Sequence, residues 1–274
     1  MSDHAHLTQC LSNARVVVRD ALTYVYVMSE HKADMDRHNL GRGAFASSIA
    51  LLATLNLLAK VYFILTKGGA AIVGDEHLQA YMTAKEQIKK SPQVRWADVK
   101  PFMPKPRIGD VNETDAFVAF VQACPIDFGL PRDNPDEARR IWKTFRNKLT
   151  HLITLANDVA SGQMLMGVTI DPSRPGMYQE NLQFIRRRIG TYKAFDIPAD
   201  ETKAVFRDKK DIPADMKQMI LNDKCHVERL AISVDMSIDW LIDSIGQGAY
   251  SQENLGALTQ WLENELTLTG SDAR

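Results

Sequence analysis

Most of the short motifs that announce a chemistry are missing from this chain. There is no GxxxxGK[ST] phosphate loop, no GxGxxG behind a strand, no HExxH and no GxSxG. Their absence argues against P-loop nucleotide hydrolysis, Rossmann dinucleotide binding, zinc-protease chemistry and an α/β-hydrolase nucleophile. Cysteine is scarce as well. Cys10, Cys124 and Cys225 stand more than 100 residues apart, so no CxxC or zinc-knuckle spacing exists. An odd count of three fits reduced thiols in a cytoplasm better than a disulfide framework. Neither sign of charge dominates, with 33 Lys and Arg against 34 Asp and Glu. A positive field over the whole protein is excluded, and any anionic partner must be held by a local patch.

The N-terminal MSDHAHLTQC has no basic stretch followed by an apolar one, so no secretory signal is expected. The most apolar segment, Ala44–Leu65, is broken by Ser47, Ser48, Thr54, Asn56 and Lys60. It reads as a buried core helix rather than a membrane span of about 20 residues. The expected location is cytoplasmic, with no membrane partner. At 274 residues the chain holds one large or two small domains.

What is present is mostly helical periodicity. Ser12–Glu30 spaces Val16, Val17, Ala21, Tyr24, Val25 and Met28 by threes and fours, predicting one apolar face. Ala44 to about Thr66 is apolar around most of its circumference, and Lys67-Gly68-Gly69 supplies a left-handed stop. Further helices are expected over Asp75–Lys90, Thr114–Ala123, Gln179–Ile189, Pro213–Leu221, His226–Ile245 and Gln252–Leu266, the last capped by Ser251. Between them, VKPFMPKPRIGDVNET carries three prolines in six residues and reads as an extended connector. Its Lys100, Lys105 and Arg107 either contact phosphates or form a solvated loop. Met164–Ile170 has room for a short hairpin or edge strand. The expected fold class is all-α, with a helical bundle over 1–163 and a C-terminal helical extension over 164–274 packed on the same domain.

The cleanest helix start is Asn134-Pro135-Asp136-Glu137: an Asn cap, a proline at the first helical position and two carboxylates at the positive end of the dipole. This helix is expected to run to about Ala160. At about 100° per residue from Ile141, the residues Ile141, Phe145, Leu149, Leu152, Ala156 and Val159 form a core stripe. Arg146, Thr150, Asn147 and His151 then fall near 140°, 180°, 240° and 280°, roughly opposite that stripe. Arg139, Arg140 and Lys143 project from the same side, making a cationic strip that ends beside a side chain titrating near neutrality. Lys148 falls at the edge of the stripe, and Trp142 lies between core and polar face, where packing outweighs base stacking.

The Arg146-Asn147-Lys148-Leu149-Thr150-His151 segment resembles the signature of the HEPN superfamily, an Arg, a polar residue and a His in an Rx4-6H pattern. The resemblance is specific over Glu137–Ala156 and architectural over the first 160 residues or so. It implies an all-α bundle bearing a metal-independent endoribonuclease or an RNA-binding relative, acting as a two-fold homodimer through the motif helix. It further implies acid–base work for His151 at the ribose 2′-hydroxyl, charge stabilisation by Arg146, and orientation of His151 by Asn147. Arg139, Arg140, Lys143 and Thr150 would contact the RNA. No cofactor or metal is implied; an antitoxin or other regulatory protein is a further expected partner. The competing expectation is a non-catalytic all-α module whose strip binds RNA, a nucleotide or a protein.

Other constellations favour plainer readings. Gly41-Arg42-Gly43 is a helix-entry turn, and His31, Asp34, Asp36 and His38 are a solvated loop before they are metal ligands. Cys225-His226 is a helix-start pair, since adjacent helical side chains diverge by about 100°. Arg186, Arg187 and Arg188 spread around a helix rather than forming one strip.

Overall fold

The computed structural model describes residues 3–30, 44–100, 103, 105–143, 145, 157–158, 163–164, 166–169, 194–196 and 223–271. Over these residues the chain is predominantly helical: α1 (Asp3–Glu30), α2 (Ala44–Lys67), α3 (Asp75–Lys90), α4 (Trp96–Val99), α5 (Glu113–Ala123), α6 (Pro135–Trp142), α7 (Val227–Gly246) and α8 (Gln252–Ser271). Five short strands accompany them: β1 (Asn157–Asp158), β2 (Gln163–Met164), β3 (Met166–Thr169), β4 (Phe195–Asp196) and β5 (Asp223–His226). The all-α expectation holds. The helices expected over 179–189 and 213–221 lie outside the described residues.

α2 is the hub. Its apolar circumference is covered by α1, α5, α7 and α8, and Leu51, Leu52, Leu55, Leu58 and Ile64 are wholly buried. Ala46–Ala71 is, among the described residues, long and apolar enough to cross a membrane, yet half of its apolar window is buried inside the chain. The serines that interrupt it are accommodated: Ser47 donates its hydroxyl to the Ala21 carbonyl at 3.1 Å, tying α2 to α1. The stop is glycine-built as expected. Gly68 sits at φ +61°, and a Cβ there would collide with Asn254 Oδ1. The Asn254 amide donates to the Leu65 carbonyl at 2.9 Å, so α8 satisfies an end group that α2 cannot satisfy itself.

α1 corrects the expected face. Its buried stripe is Leu7, Leu11, Ala14, Val18, Ala21 and Leu22, while Val16, Val17 and Tyr24 are exposed. Starting at Asp3 adds Leu7 and Leu11, and that longer stripe outweighs the valine pair in setting which side turns inward. The rotation brings Arg15 against α7, where its Nε donates to Asp235 Oδ1 at 2.8 Å and its Nη2 to Asp239. On α7 the expected repeat holds: Val227, Leu230, Val234, Ile238, Leu241 and Ile245 are all buried.

The strands are small but consequential. β3 runs parallel to β5 (Met166 opposite Asp223, Thr169 opposite His226), and β4 runs antiparallel to β5 with Phe195 opposite Cys225. β1 pairs with β2, Asn157 opposite Met164 and Asp158 opposite Gln163. The helix expected to reach Ala160 has therefore ended before Asn157. Asn and Asp bond locally to backbone and gain little from helix interiors, and Ser161-Gly162 follow them in the sequence.

Candidate nucleic-acid interface

The motif helix begins as its sequence dictates. The Asn134 side chain accepts from the Glu137 N–H at 3.1 Å, with Pro135 in the first turn. One side of α6 is then locked by aromatic packing. Trp142 lies flat on Phe117 of α5, ring centroids 4.1 Å apart and planes 13° from parallel. Ile141 and Phe145 are buried as expected, and Phe145 meets Phe195 of β4 at 5.4 Å. β4 is held in turn by a 2.8 Å hydrogen bond from the Phe195 N–H to the Phe128 carbonyl. Trp142 is thus a packing residue.

At Lys143 and Phe145 the backbone takes up the wider winding of a π-helix. Azimuths reckoned at about 100° per residue from Ile141 therefore hold to Trp142, short of the motif. Arg146, Asn147, Thr150 and His151 lie outside the described residues. So do Lys148, Gly41 to Gly43, His31, Asp34, Asp36, His38 and Arg186 to Arg188.

The flanking cations are not equivalent. Arg139 reaches Asp136 at 2.7 Å and Asp115 of α5 at 3.5 Å. Arg140 grips Glu137 with two donors, Nε at 2.8 Å and Nη2 at 2.5 Å. Lys143 is exposed and has no ion-pair partner among the described residues. The strip is thus partly neutralised by its own helix, a pattern that counting Lys and Arg alone does not show. The Arg139 pairs are exposed and contribute little, whereas the forked pair of Arg140 with Glu137, whose side chain is mostly covered, gives way less readily.

Cys225 and His226 close β5 where α7 begins. His226 is the N-cap residue, and its backbone N–H donates to the Ala194 carbonyl at 2.9 Å. Cys225 is fully buried, and that burial, reinforced by the Glu228 carboxylate, pushes its thiol well above the ordinary range. This is the helix-start pair expected, and the thiol is not poised as a nucleophile. Burial likewise raises the Cys124 thiol, although a contact with the Ser237 hydroxyl at 3.5 Å works the other way. No group of three or more His, Cys, Asp or Glu is arranged for a metal among the described residues.

A groove of about 790 Å³ lies elsewhere, between Gly69–Gly74, Gly109 and α8. Ile72, Ile108 and Trp261 line it with the carboxylates of Glu76 and Glu265, and Trp261 Nε1 donates to the Gly109 carbonyl at 3.0 Å. Arg139, Arg140 and Lys143 are not part of it. In comparisons with known proteins, no family profile, no curated protein and no solved structure matches the chain.

Proposed function

We propose that the chain is a cytoplasmic, metal-independent endoribonuclease of the HEPN type, acting as a two-fold homodimer through its motif helix. In this reading His151 moves the proton between the ribose 2′-hydroxyl and the leaving 5′-oxygen. Arg146 meets the charge that gathers on the phosphorane oxygens, and Asn147 fixes which nitrogen of the imidazole carries its proton. Thr150 and Lys143 contact the strand, and Arg139 and Arg140 join them by exchanging their carboxylates for phosphates. A toxin or phage-defence role, with a regulatory protein to restrain it, fits such an activity.

The observation that carries the reading is the π-helical winding at Lys143 and Phe145, where the chain, anchored by Trp142 and Phe145, leads in sequence into Arg146. π-Helical winding is rare and occurs frequently at functional sites. The test is labelled RNA in EDTA with wild-type protein, Arg146→Ala and His151→Ala. Cleavage by wild type alone, with all three proteins folded, is the expected result. Equal cutting by all three, or none by wild type, overturns the proposal.

A second reading has its own support in the carboxylates that hold Arg139 and Arg140. A helix that neutralises its own cations suits a non-catalytic module that binds RNA, a nucleotide or a protein. It predicts retained binding and no cutting, with His151→Ala indistinguishable from wild type.

A further inference from the structure

Between residues 73 and 110 the chain leaves the bundle and returns to the same point. Ile72 and Val111 form an antiparallel bridge, the Val73 N–H donates to the Asp110 carbonyl at 2.8 Å, and the Gly109 N–H donates to the Val73 carbonyl at 2.9 Å. The excursion so closed carries α3 and α4, and neither helix contains a buried residue. None of the described residues of this arm is buried.

Its charge is unevenly distributed: Asp75, Glu76 and Asp110 stand at its two ends, and the cations gather between them. From Lys85 to Arg107 the sequence holds seven cations (Lys85, Lys89, Lys90, Arg95, Lys100, Lys105 and Arg107) against two carboxylates, Glu86 and Asp98. The whole chain carries a formal charge of -1, so this segment concentrates what the rest lacks. The two carboxylates occupy only Lys89, at 3.3 Å from Glu86, and Arg95, at 3.2 Å from Asp98. Lys90, Lys100, Lys105 and Arg107 are exposed and have no ion-pair partner among the described residues.

Aromatic rings stand among these cations. Tyr81 meets Trp96 edge-on with centroids 6.0 Å apart, and Lys85 Nζ lies over the Trp96 ring at 5.7 Å. Tyr81, Lys85 and Lys89 follow one another at i, i+4 and i+8, so α3 presents ring and ammonium groups along one side. Neither ring is buried.

We infer that this arm is a docking surface for single-stranded RNA, with Tyr81 and Trp96 as the stacking platform and Lys85, Lys90, Lys100, Lys105 and Arg107 as phosphate contacts. Cations alone would suit any polyanion; the rings interleaved with them favour a strand whose bases are free to stack. A base arriving on Trp96 takes the place of Lys85 and releases its ammonium toward the adjoining phosphate. The inference takes from the reading above only that the polymer is RNA, and it needs no cleavage. It also places the strand's grip on cations without carboxylate partners, unlike Arg139 and Arg140.

The test is fluorescence anisotropy of a fluorescein-labelled, unstructured 12-nucleotide RNA, titrated with the full chain carrying His151→Ala so that the strand stays intact. Duplex RNA and phosphatidylserine-containing vesicles are titrated in parallel. Trp96→Ala should weaken single-strand binding about tenfold, and Trp96→Phe should stay within about threefold of the parent. Lys90→Gln with Lys105→Gln should lower the slope of log Kd against log salt by about 0.7 for each phosphate left without its lysine. Single strands should bind more tightly than duplex. The inference is overturned by unchanged affinity in the arm variants, by no binding of the single strand, or by vesicle binding that shares these lysines while Trp96→Ala leaves RNA binding intact. Should Trp96→Ala disturb the fold, the glutamine pair, on exposed residues, still decides. A chain that binds through the arm but never cuts refutes the nuclease and spares the arm. Cutting with arm variants that bind as wild type does the reverse.

Discussion

Arg15 offers the sharpest test of how the bundle is held together. Its side chain is 27% exposed, whereas Asp235, to which it donates at 2.8 Å, is only 1% exposed. Burial lowers the affinity of Arg15 for its proton, but Asp235 and Asp239 more than offset this, so the guanidinium holds its proton more tightly than usual and stays charged at any working pH. Replacing Arg15 with Met preserves most of the stem that packs between α1 and α7 but removes a charged partner of a buried carboxylate. Breaking a buried pair from one side costs about 3–5 kcal/mol. The lower end applies here, because the guanidinium is partly in water and Asp239 is 41% exposed. With a urea m-value of about 3 kcal/mol/M, that loss moves the unfolding midpoint down by roughly 1 M. Removing both charges in Arg15→Met with Asp235→Leu should recover most of the loss, since apolar replacement of a whole buried pair is often neutral. Urea unfolding followed by circular dichroism measures all three proteins. A single variant within about 0.5 kcal/mol of wild type, or a double variant no more stable than the single, refutes the reasoning.

Three further outcomes follow from the packing. Trp142→Ala should cost about 3–5 kcal/mol in urea unfolding, because it opens a cavity against Phe117 and frees the start of the motif helix. Gly68→Ala should cost about 1–3 kcal/mol for its left-handed backbone and the clash with Asn254, while Gly69→Ala, with open space around its Cβ position, should not destabilise by more than a few tenths. An aromatic disulfide reagent at pH 8 should modify Cys10 promptly and reach Cys124 and Cys225 only on unfolding. The raised thiol pKa values add a pH dependence. The folded chain holds those protons more tightly than the unfolded one, so their contribution is complete below the ordinary value of 9.0 and is lost as pH rises beyond it. The urea midpoint should therefore fall between about pH 8.5 and 10.5 by an amount that Cys225→Ala reduces.

The helical framework was legible where local chemistry and pattern agree. Asn134-Pro135 and Lys67-Gly68 mark ends because a cap and a left-handed glycine act within one turn of chain. The α7 repeat was legible because Val227, Leu230, Val234, Ile238, Leu241 and Ile245 keep helical spacing over the whole helix, even though Ile232 is buried on another side. On α1 two candidate stripes compete. Val16, Val17 and Tyr24 satisfy the helical spacing as well as Ala14, Val18 and Ala21 do, and only the helix's added first turns, with Leu7 and Leu11, decide between them. The role of Arg15 is illegible in the sequence for the same reason, since nothing near it announces partners more than 200 residues away. A short strand was readable within Met164–Ile170, where β3 lies, but its parallel pairing with β5 is equally non-local, and the two-residue strands carry too little alternation to be recognised. At the site, the cap, the buried Ile141 and Phe145 and the packing of Trp142 were readable. The carboxylates on Arg139 and Arg140 were present in the sequence at i−3 but were outweighed there by the count of cations. The basic arm was visible as composition only. Its closure at Ile72 and Val111 and the meeting of Tyr81 with Trp96 are what turn that composition into a surface.

The most direct measurement of the central claim is the chemistry of the cut ends. A uniquely labelled RNA and the same strand with a single 2′-deoxy substitution at the scissile nucleotide are incubated with the chain in EDTA, and the products are identified by mass. Cleavage through the neighbouring hydroxyl yields a 2′,3′-cyclic phosphate and a 5′-hydroxyl, spares the 2′-deoxy position, and disappears in His151→Ala and Arg146→Ala. A 5′-phosphate product, cleavage at the 2′-deoxy nucleotide, or activity that survives both substitutions would contradict it.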